Sequence, residues 1–144
     1  MERVPMKIIS KKHDPTYANG NAAGLDLRIS TDERVEIKPL GHYLVHTGVH
    51  VEIPHGYFGL IAIRSGLGMK GLTLSNSIGV IDEDYRGEIR IPLFNHGEEA
   101  MVLEDGERVA QMILIPYVQA ELNFVDELQD TDRGNDGFGS SGRF

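Results

Sequence analysis

No cysteine occurs among the 144 residues, which excludes a disulfide framework, thiolate zinc sites and a cysteine nucleophile. Positive charge is scarce: 14 Lys and Arg stand against 22 Asp and Glu, a formal net charge of −8 with neutral histidines. A chain this acidic is a poor match to nucleic-acid binding through many Lys and Arg contacts to phosphate. If the substrate is a polyanion, the basic residues that meet it must be concentrated in a small site. Long apolar runs are also missing. None approaches bilayer-spanning length, and the start, Met1 to Lys7, has no apolar leader core. The expectation is a cytoplasmic protein (host cytoplasm if virally encoded) that engages neither membrane nor nucleic acid. What is present, 40% hydrophobic and 25% charged residues, suits one domain with a real core and a soluble surface.

Helical periodicity is weak, the best stretch being Ser65 to Lys70, and no internal repeat is visible. The 17 glycines and 6 prolines divide the chain into short apolar segments, as in an all-β domain. Val49, Val51 and Ile53 alternate with His50 and Glu52, the period of a half-buried strand, before a turn at Pro54-His55-Gly56. Tyr57 to Ile63 is a denser apolar run. Ile89, Ile91 and Leu93 alternate with Glu88, Arg90 and Pro92, and the proline predicts an edge or a bulge. Val109 to Ile115 is apolar except for Gln111. Many short strands with frequent turns favour a sandwich or jelly roll over a βαβ fold.

The composition changes near residue 126. Residues 1–125 read as the folded domain, and 126–144 as a flexible Gly-rich arm with few large apolar residues. One reading of the arm is a frayed terminus. Arg133 to Gly142 nevertheless combines a fixed cation, the Phe138 ring, hydroxyls and four glycines. Such a segment can wrap an anion with backbone N–H groups and cover a flat ring, so the second reading is a lid over a phosphorylated ligand. It is no Walker A loop, because Ser140 follows Gly139 where that motif needs lysine.

Several inner segments carry chemistry. Arg64-Ser65-Gly66-Leu67-Gly68 opens out of an apolar run and suits phosphate, or equally a solvated strand end with a capping serine. Gly79 to Glu88 reads as two short strands around a tight acidic turn, a hairpin presenting backbone groups to the edge of a small base. Within it Asp82 follows an apolar trio and is placed to deprotonate a water. Glu83 and Asp84 read as solvated turn residues, and Tyr85 as either core packing or site. Asp26, between two leucines, either faces out by alternation or turns in to hold a water or hydrated cation. Gln111 needs partners if buried. His42, His46 and His50 recur every four residues, but on a strand that spacing covers roughly 13 Å, too far for one metal.

Taken in order, Ala23–Leu27, Arg64–Gly68, Gly79–Gly87, Gly106–Gln111 and Arg133–Gly142 closely resemble the five motifs of the homotrimeric dUTP nucleotidohydrolase (dUTPase) family. The resemblance runs from near residue 20 to the C-terminus. Departures are mild: Ile63 where proline is common, and Ser141 where threonine is usual. The resemblance implies a jelly roll of the β-clip type, a homotrimer with active sites shared between chains, and hydrolysis of dUTP to dUMP and pyrophosphate. That reaction keeps uracil out of DNA and supplies dUMP for thymidylate synthesis. Asp82 would activate the water that attacks the α-phosphorus, and Tyr85 would pack under the deoxyribose. Gly79, Val80, Ile81 and Arg90, with Asn76, would read uracil. Arg64, Ser65, Gly66 and Gln111 would hold the phosphates. From another chain, Phe138 would stack on the base while Arg133, Gly139 and Ser140 meet the γ-phosphate. The implied cofactor is Mg²⁺, held by phosphates and water, with Asp26 acting through water and no direct protein ligand.

Two alternatives stand beside this. A dCTP deaminase shares the fold and resembles the Arg64-Ser65 and Gly79–Gly87 segments, but its pattern lacks the Phe138-Gly139-Ser140 lid. A dUTP-binding regulatory module would keep the pocket without turnover.

Overall fold

The computed structural model describes residues 3–144; Met1 and Glu2, the first two residues of the Met1–Lys7 start, lie outside the described residues. Turn residues cut the chain into β1 (Lys7–Ser10), β2 (Thr16–Tyr17), β3 (Leu25–Arg28), β4 (Val35–Ile37), β5 (His42–His46), β6 (Val49–Glu52), β7 (Tyr57–Ile63), α1 (Ser65–Gly68), β8 (Leu72–Leu74), β9 (Gly79–Ile81), β10 (Arg90–Asn95), β11 (Met101–Leu103) and β12 (Arg108–Pro116). Every pairing is antiparallel. The sheets run β2-β3-β12-β7-β9, β5-β10-β8, β1-β6 and β11-β4. This is the expected jelly roll, with sheets packed face to face.

Alternation builds the core. Val49, Val51 and Ile53 point inward, as do Ile89, Ile91 and Leu93 across from them. The buried core is aliphatic with one methionine, Met112; the aromatic side chains stay at least partly accessible. Each fully buried branched side chain contributes roughly 1.5–3 kcal/mol relative to exposure. Two buried polar groups are satisfied within this core. Asn95 donates from Nδ2 to the Ile37 and Glu99 carbonyls at 2.8 Å each, and Thr47 Oγ1 donates to the Ile89 carbonyl at 2.6 Å.

Two expectations need correction. Pro92 sits on β10, which is a central strand, not an edge. It is tolerated because the β8 ladder stops at Leu74, opposite Leu93. Just past that point the Pro92 carbonyl accepts from Ser75 N–H at 2.8 Å, so the missing N–H, on the same side of the strand, forgoes only the one reciprocal bond to Ser75 at the end of the ladder. The Gly79–Glu88 segment is not a hairpin either. β9 pairs with β7, whereas β10 pairs with β5 and β8. Residues 82–89 are therefore a crossover that carries the chain from one sheet to another.

β12 ends at Pro116, and Tyr117 N–H donates to the Gly56 carbonyl at 3.1 Å. From Val118 to Phe144 the chain is exposed and contains no strand or helix.

Candidate active site

The seam between the two larger sheets opens into a cleft of about 340 Å³ lined by Leu44, Asn76, Val80, Ile81, Asp82, Tyr85, Glu88, Arg90 and Pro92. Its floor follows from register. Pro92 lies opposite Leu44 and Arg90 opposite His46, so these side chains share the outward face while Ile91 and Val45 point to the core. Tyr85 lies against its own loop. Its hydroxyl donates to the Glu88 carbonyl at 2.8 Å, and a methyl group at Gly87 would overlap the ring. Gly79 is buried against Ile61, where a Cβ would come within 2.9 Å.

The crossover loop is held at several points. Glu88 accepts from Gly48 N–H at 2.8 Å and pairs with His46 at 2.9 Å. Burial pushes the Glu88 carboxyl up, but these two partners outweigh it and leave it below its ordinary value. His50 Nδ1 meets the Arg86 carbonyl at 3.0 Å. Glu83, read from sequence as a solvated turn residue, is instead bound to His55 Nδ1 at 2.9 Å and Gly56 N–H at 2.7 Å. The hydrogen bond from His55, then that from Gly56, holds its carboxyl below the ordinary range. Asp82 is exposed on the cleft rim, and among the described residues no ion pair engages it.

A second cleft, about 590 Å³, is lined by Arg28, Arg64, Gly66, Lys70, Arg108 and the Glu104–Glu107 turn, with Leu67. Its organiser is Asp26, 5% exposed. Arg64 Nε meets one carboxylate oxygen at 3.2 Å and Arg108 Nη1 the other at 3.0 Å. Asp26 is thus turned inward and held by two guanidinium groups. A bulge between Arg108 and Ala110 makes this possible: Arg108 pairs with Arg28 and Gln111 with Asp26, so two β12 residues three apart share one face. Arg28 Nη1 donates to the Gly106 carbonyl at 2.8 Å. Gln111 packs directly against Gly24, where any side chain would overlap it. Arg64 precedes α1, and its carbonyl accepts from Leu67 and Gly68 N–H, leaving Ser65 and Gly66 exposed.

One chain keeps the two clefts apart. Gly79 pairs with Ile61 and Ile81 with Gly59, so Asp82 leaves β9 near Phe58 while Arg64 follows Ile63. Six residues of strand separate them, about 20 Å. Arg133, Phe138, Gly139 and Ser140 lie on exposed turns of the C-terminal segment, where the Phe138 ring is free of both clefts. The three histidines have separate partners, His42 with Ser75 at 2.9 Å, His46 with Glu88 and His50 with Arg86.

Sequence reasoning missed Leu44, Pro92 and Glu88 in the first cleft and Arg28, Lys70 and Arg108 in the second. Arg28 was findable, two residues from Asp26 and so on the same strand face. Leu44 and Pro92 carry no local signal, because only strand pairing brings them beneath the 82–89 loop.

The family model described as dUTPase matches residues 10–142. Deoxyuridine 5'-triphosphate nucleotidohydrolases of Citrobacter koseri and an Enterobacter species are 43% and 44% identical, over 99% of this chain and 99% of each relative. A Staphylococcus bacteriophage 80alpha dUTPase solved with dUPNHPP superposes with a TM-score of 0.86 at 29% identity, covering 96% of this chain and 99% of that one. With the match running nearly end to end, and with all five segments inside it, the chain belongs to the dUTPase family.

Proposed function

We propose that the protein hydrolyses dUTP to dUMP and pyrophosphate in a homotrimer whose sites combine the two clefts from different chains. The observation that carries this reading is the contrast between them: one cleft of nucleoside size with a carboxylate on its rim that no ion pair engages among the described residues, and one built from guanidinium groups. Uracil and deoxyribose occupy the first cleft, between the Val80–Ile81 backbone, Asn76, Arg90 and the Tyr85 ring. Discrimination there follows from leaving polar groups of a wrong base unpaired. Asp82 accepts a proton from water as the water oxygen bonds to the α-phosphorus. The bond from that phosphorus to the bridging oxygen breaks, and pyrophosphate leaves. Arg64, Ser65, Gly66 and Gln111 hold the phosphate chain, with Asp26 orienting Arg64.

Trimer assembly is supported by the gap of about 20 Å along β7, longer than a triphosphate spans. It is supported too by the segment after β12. Val118, Ala120, Leu122 and Phe124 alternate with polar residues yet are exposed in the single chain, and the outer strand β1 exposes Ile8 and Ile9. A strand pattern without a covering surface suits pairing with a neighbouring subunit. The arm at 126–144 then supplies Phe138 over the base and Arg133, Gly139 and Ser140 at the γ-phosphate.

Among the described residues no group of three or more His, Asp or Glu is clustered for a metal, and both Asp26 oxygens already bind arginine. This donor set fits a divalent cation held by substrate phosphates and water, with Mg²⁺ the expected ion. When bound it would offset phosphate charge. No helix of the described residues is long and apolar enough to cross a membrane; a cytoplasmic location is proposed.

The test is product analysis by phosphorus NMR after incubation with Mg²⁺ and, separately, dUTP, dCTP, dTTP and UTP. Pyrophosphate and dUMP from dUTP alone is the expected result. A deaminated triphosphate from dCTP, or tight dUTP binding with no turnover, overturns it. Light scattering should give about three times the 16.0 kDa chain mass.

A further inference from the structure

Asp82 and Glu83 are adjacent, yet they face different depressions. Asp82 lines the 340 Å³ cleft. Glu83 lines a separate one of about 490 Å³ on the other side of the loop, shared with His55 and Arg86. The Glu83 carboxylate makes a two-point hold on the turn between β6 and β7, one oxygen on His55 and the other on Gly56 N–H. Tyr57 N–H closes that turn on the Pro54 carbonyl at 3.2 Å, and Gly56 sits in it at φ +84°, a conformation that glycine adopts without strain. The Gly56 carbonyl also receives Tyr117 N–H, at the point where the exposed C-terminal segment begins. The Tyr117 hydroxyl faces the same carboxylate. Burial, then the Glu83 charge, pushes that hydroxyl above its ordinary value. Arg86 closes the loop from within, donating to the Glu83 carbonyl at 2.6 Å.

We infer that Glu83 is a positioning residue: by clamping the crossover loop to the β6–β7 turn and to Tyr117 just beyond β12, it presets the direction of Asp82. The inference rests on Asp82 being the base. The consequence is specific. Asp82 opens a β-turn in which Glu83 is the second residue, closed by Tyr85 N–H on the Asp82 carbonyl at 3.2 Å, so pinning Glu83 behind the loop fixes the turn that carries Asp82 on its front. Releasing Glu83 leaves the uracil-facing groups of β9 in place, because they are held by the β7 ladder. It frees the backbone on which the carboxylate of Asp82 turns. Misplacing a reacting group by about 1 Å is enough to cost on the order of 100-fold in rate.

The experiment compares full-length Glu83→Ala, Glu83→Gln, His55→Ala and Asp82→Asn. Three measurements are made on each: kcat and KM for dUTP, affinity for a non-hydrolysable imido analogue of dUTP, and amide exchange at Gly56 and Tyr85, whose N–H groups are bonded to Glu83 and to the Asp82 carbonyl. Glu83→Ala should lower kcat about 10- to 100-fold while KM and analogue affinity stay within about threefold, and exchange at the two amides should quicken. Glu83→Gln keeps an oxygen for Gly56 N–H and should restore both rate and protection. His55→Ala, which loses one of the two points, should fall between them, and it carries the test if Glu83→Ala does not fold. Wild-type kcat in Glu83→Ala overturns the inference, as does a Glu83→Gln variant as slow as Glu83→Ala. So does a loss that appears equally in KM and analogue affinity. Near wild-type turnover by Asp82→Asn would instead sink the base assignment, and the exchange data would still decide whether Glu83 holds the loop.

Discussion

Replacing Asp26 by asparagine removes one charge and almost no volume, so its effect isolates the electrostatics of the second cleft. The carboxylate is 5% exposed and holds Arg64 at 3.2 Å and Arg108 at 3.0 Å. Breaking a fully buried pair by deleting one partner costs about 3–5 kcal/mol, because the remaining charge is left without compensation. Here the two arginine side chains are 33% and 38% exposed, and water takes up part of that loss. A discount of roughly a third brings the expectation to about 2–3 kcal/mol. For a chain of this size that corresponds to a fall in Tm of about 6–12 °C. Circular dichroism melts at one fixed protomer concentration measure it, since assembly would otherwise shift the midpoint. The asparagine amide also turns a donor toward a guanidinium donor, so Arg64 loses its orientation. We expect kcat/KM for dUTP to drop about 10- to 100-fold alongside, as when a phosphate clamp is misplaced. A Tm within 2 °C of wild type together with unchanged kcat/KM would refute the claim that Asp26 organises the arginine cluster.

Truncation after Leu128 removes Arg133, Phe138, Gly139 and Ser140 but no strand; melting and light scattering should be unchanged while turnover falls by about 100-fold or more, a lost closing segment removing both cover and charge. Full activity in the truncated protein would mean that the arm is an ordinary frayed terminus. Gly24→Ala places a methyl group into the Gln111 side chain, so KM for dUTP should rise several-fold, and an unaltered KM would exclude Gln111 from phosphate binding. Acid stability follows from the carboxylates held low, Glu83 mainly by His55 and Glu52 mainly by Lys7. Because the folded values lie below the unfolded ones, their contribution is complete above the ordinary value of 4.5 and is lost as pH falls through the lower, folded values. Tm should therefore hold steady from pH 7 to 5 and decline below about 4.5; a decline already under way between pH 7 and 6 would contradict this assignment.

Where the sequence misled, the cause was pairing at a distance. Gly79 to Glu88 looks like a hairpin because two short strand-like stretches flank an acidic turn, yet Gly79–Ile81 pairs with β7, and the chain next forms a strand only at Arg90–Asn95, which pairs with β5 and β8. Pro92 predicted an edge or a bulge, and its position at the end of the β8 ladder instead limits the loss to one terminal hydrogen bond inside a central strand. Glu83 looked solvated because it sits among acidic turn residues; its partners His55 and Gly56 lie 28 and 27 residues away. None of these contacts has a local signature, so no periodicity argument reaches them.

The sequence by itself determined the fold class, the strands and the segments that carry chemistry. Those properties are set locally, by alternation along a strand, by glycine and proline at turns, and by which functional groups occupy each segment. Only the tertiary structure decided that Asp26 turns inward to hold Arg64 and Arg108, that Leu44 and Pro92 floor the first cleft, and that Asp82 and Arg64 stand about 20 Å apart in one chain. Those outcomes depend on strand register and on a single bulge in β12, and a shift of one residue in register moves every side chain to the opposite face.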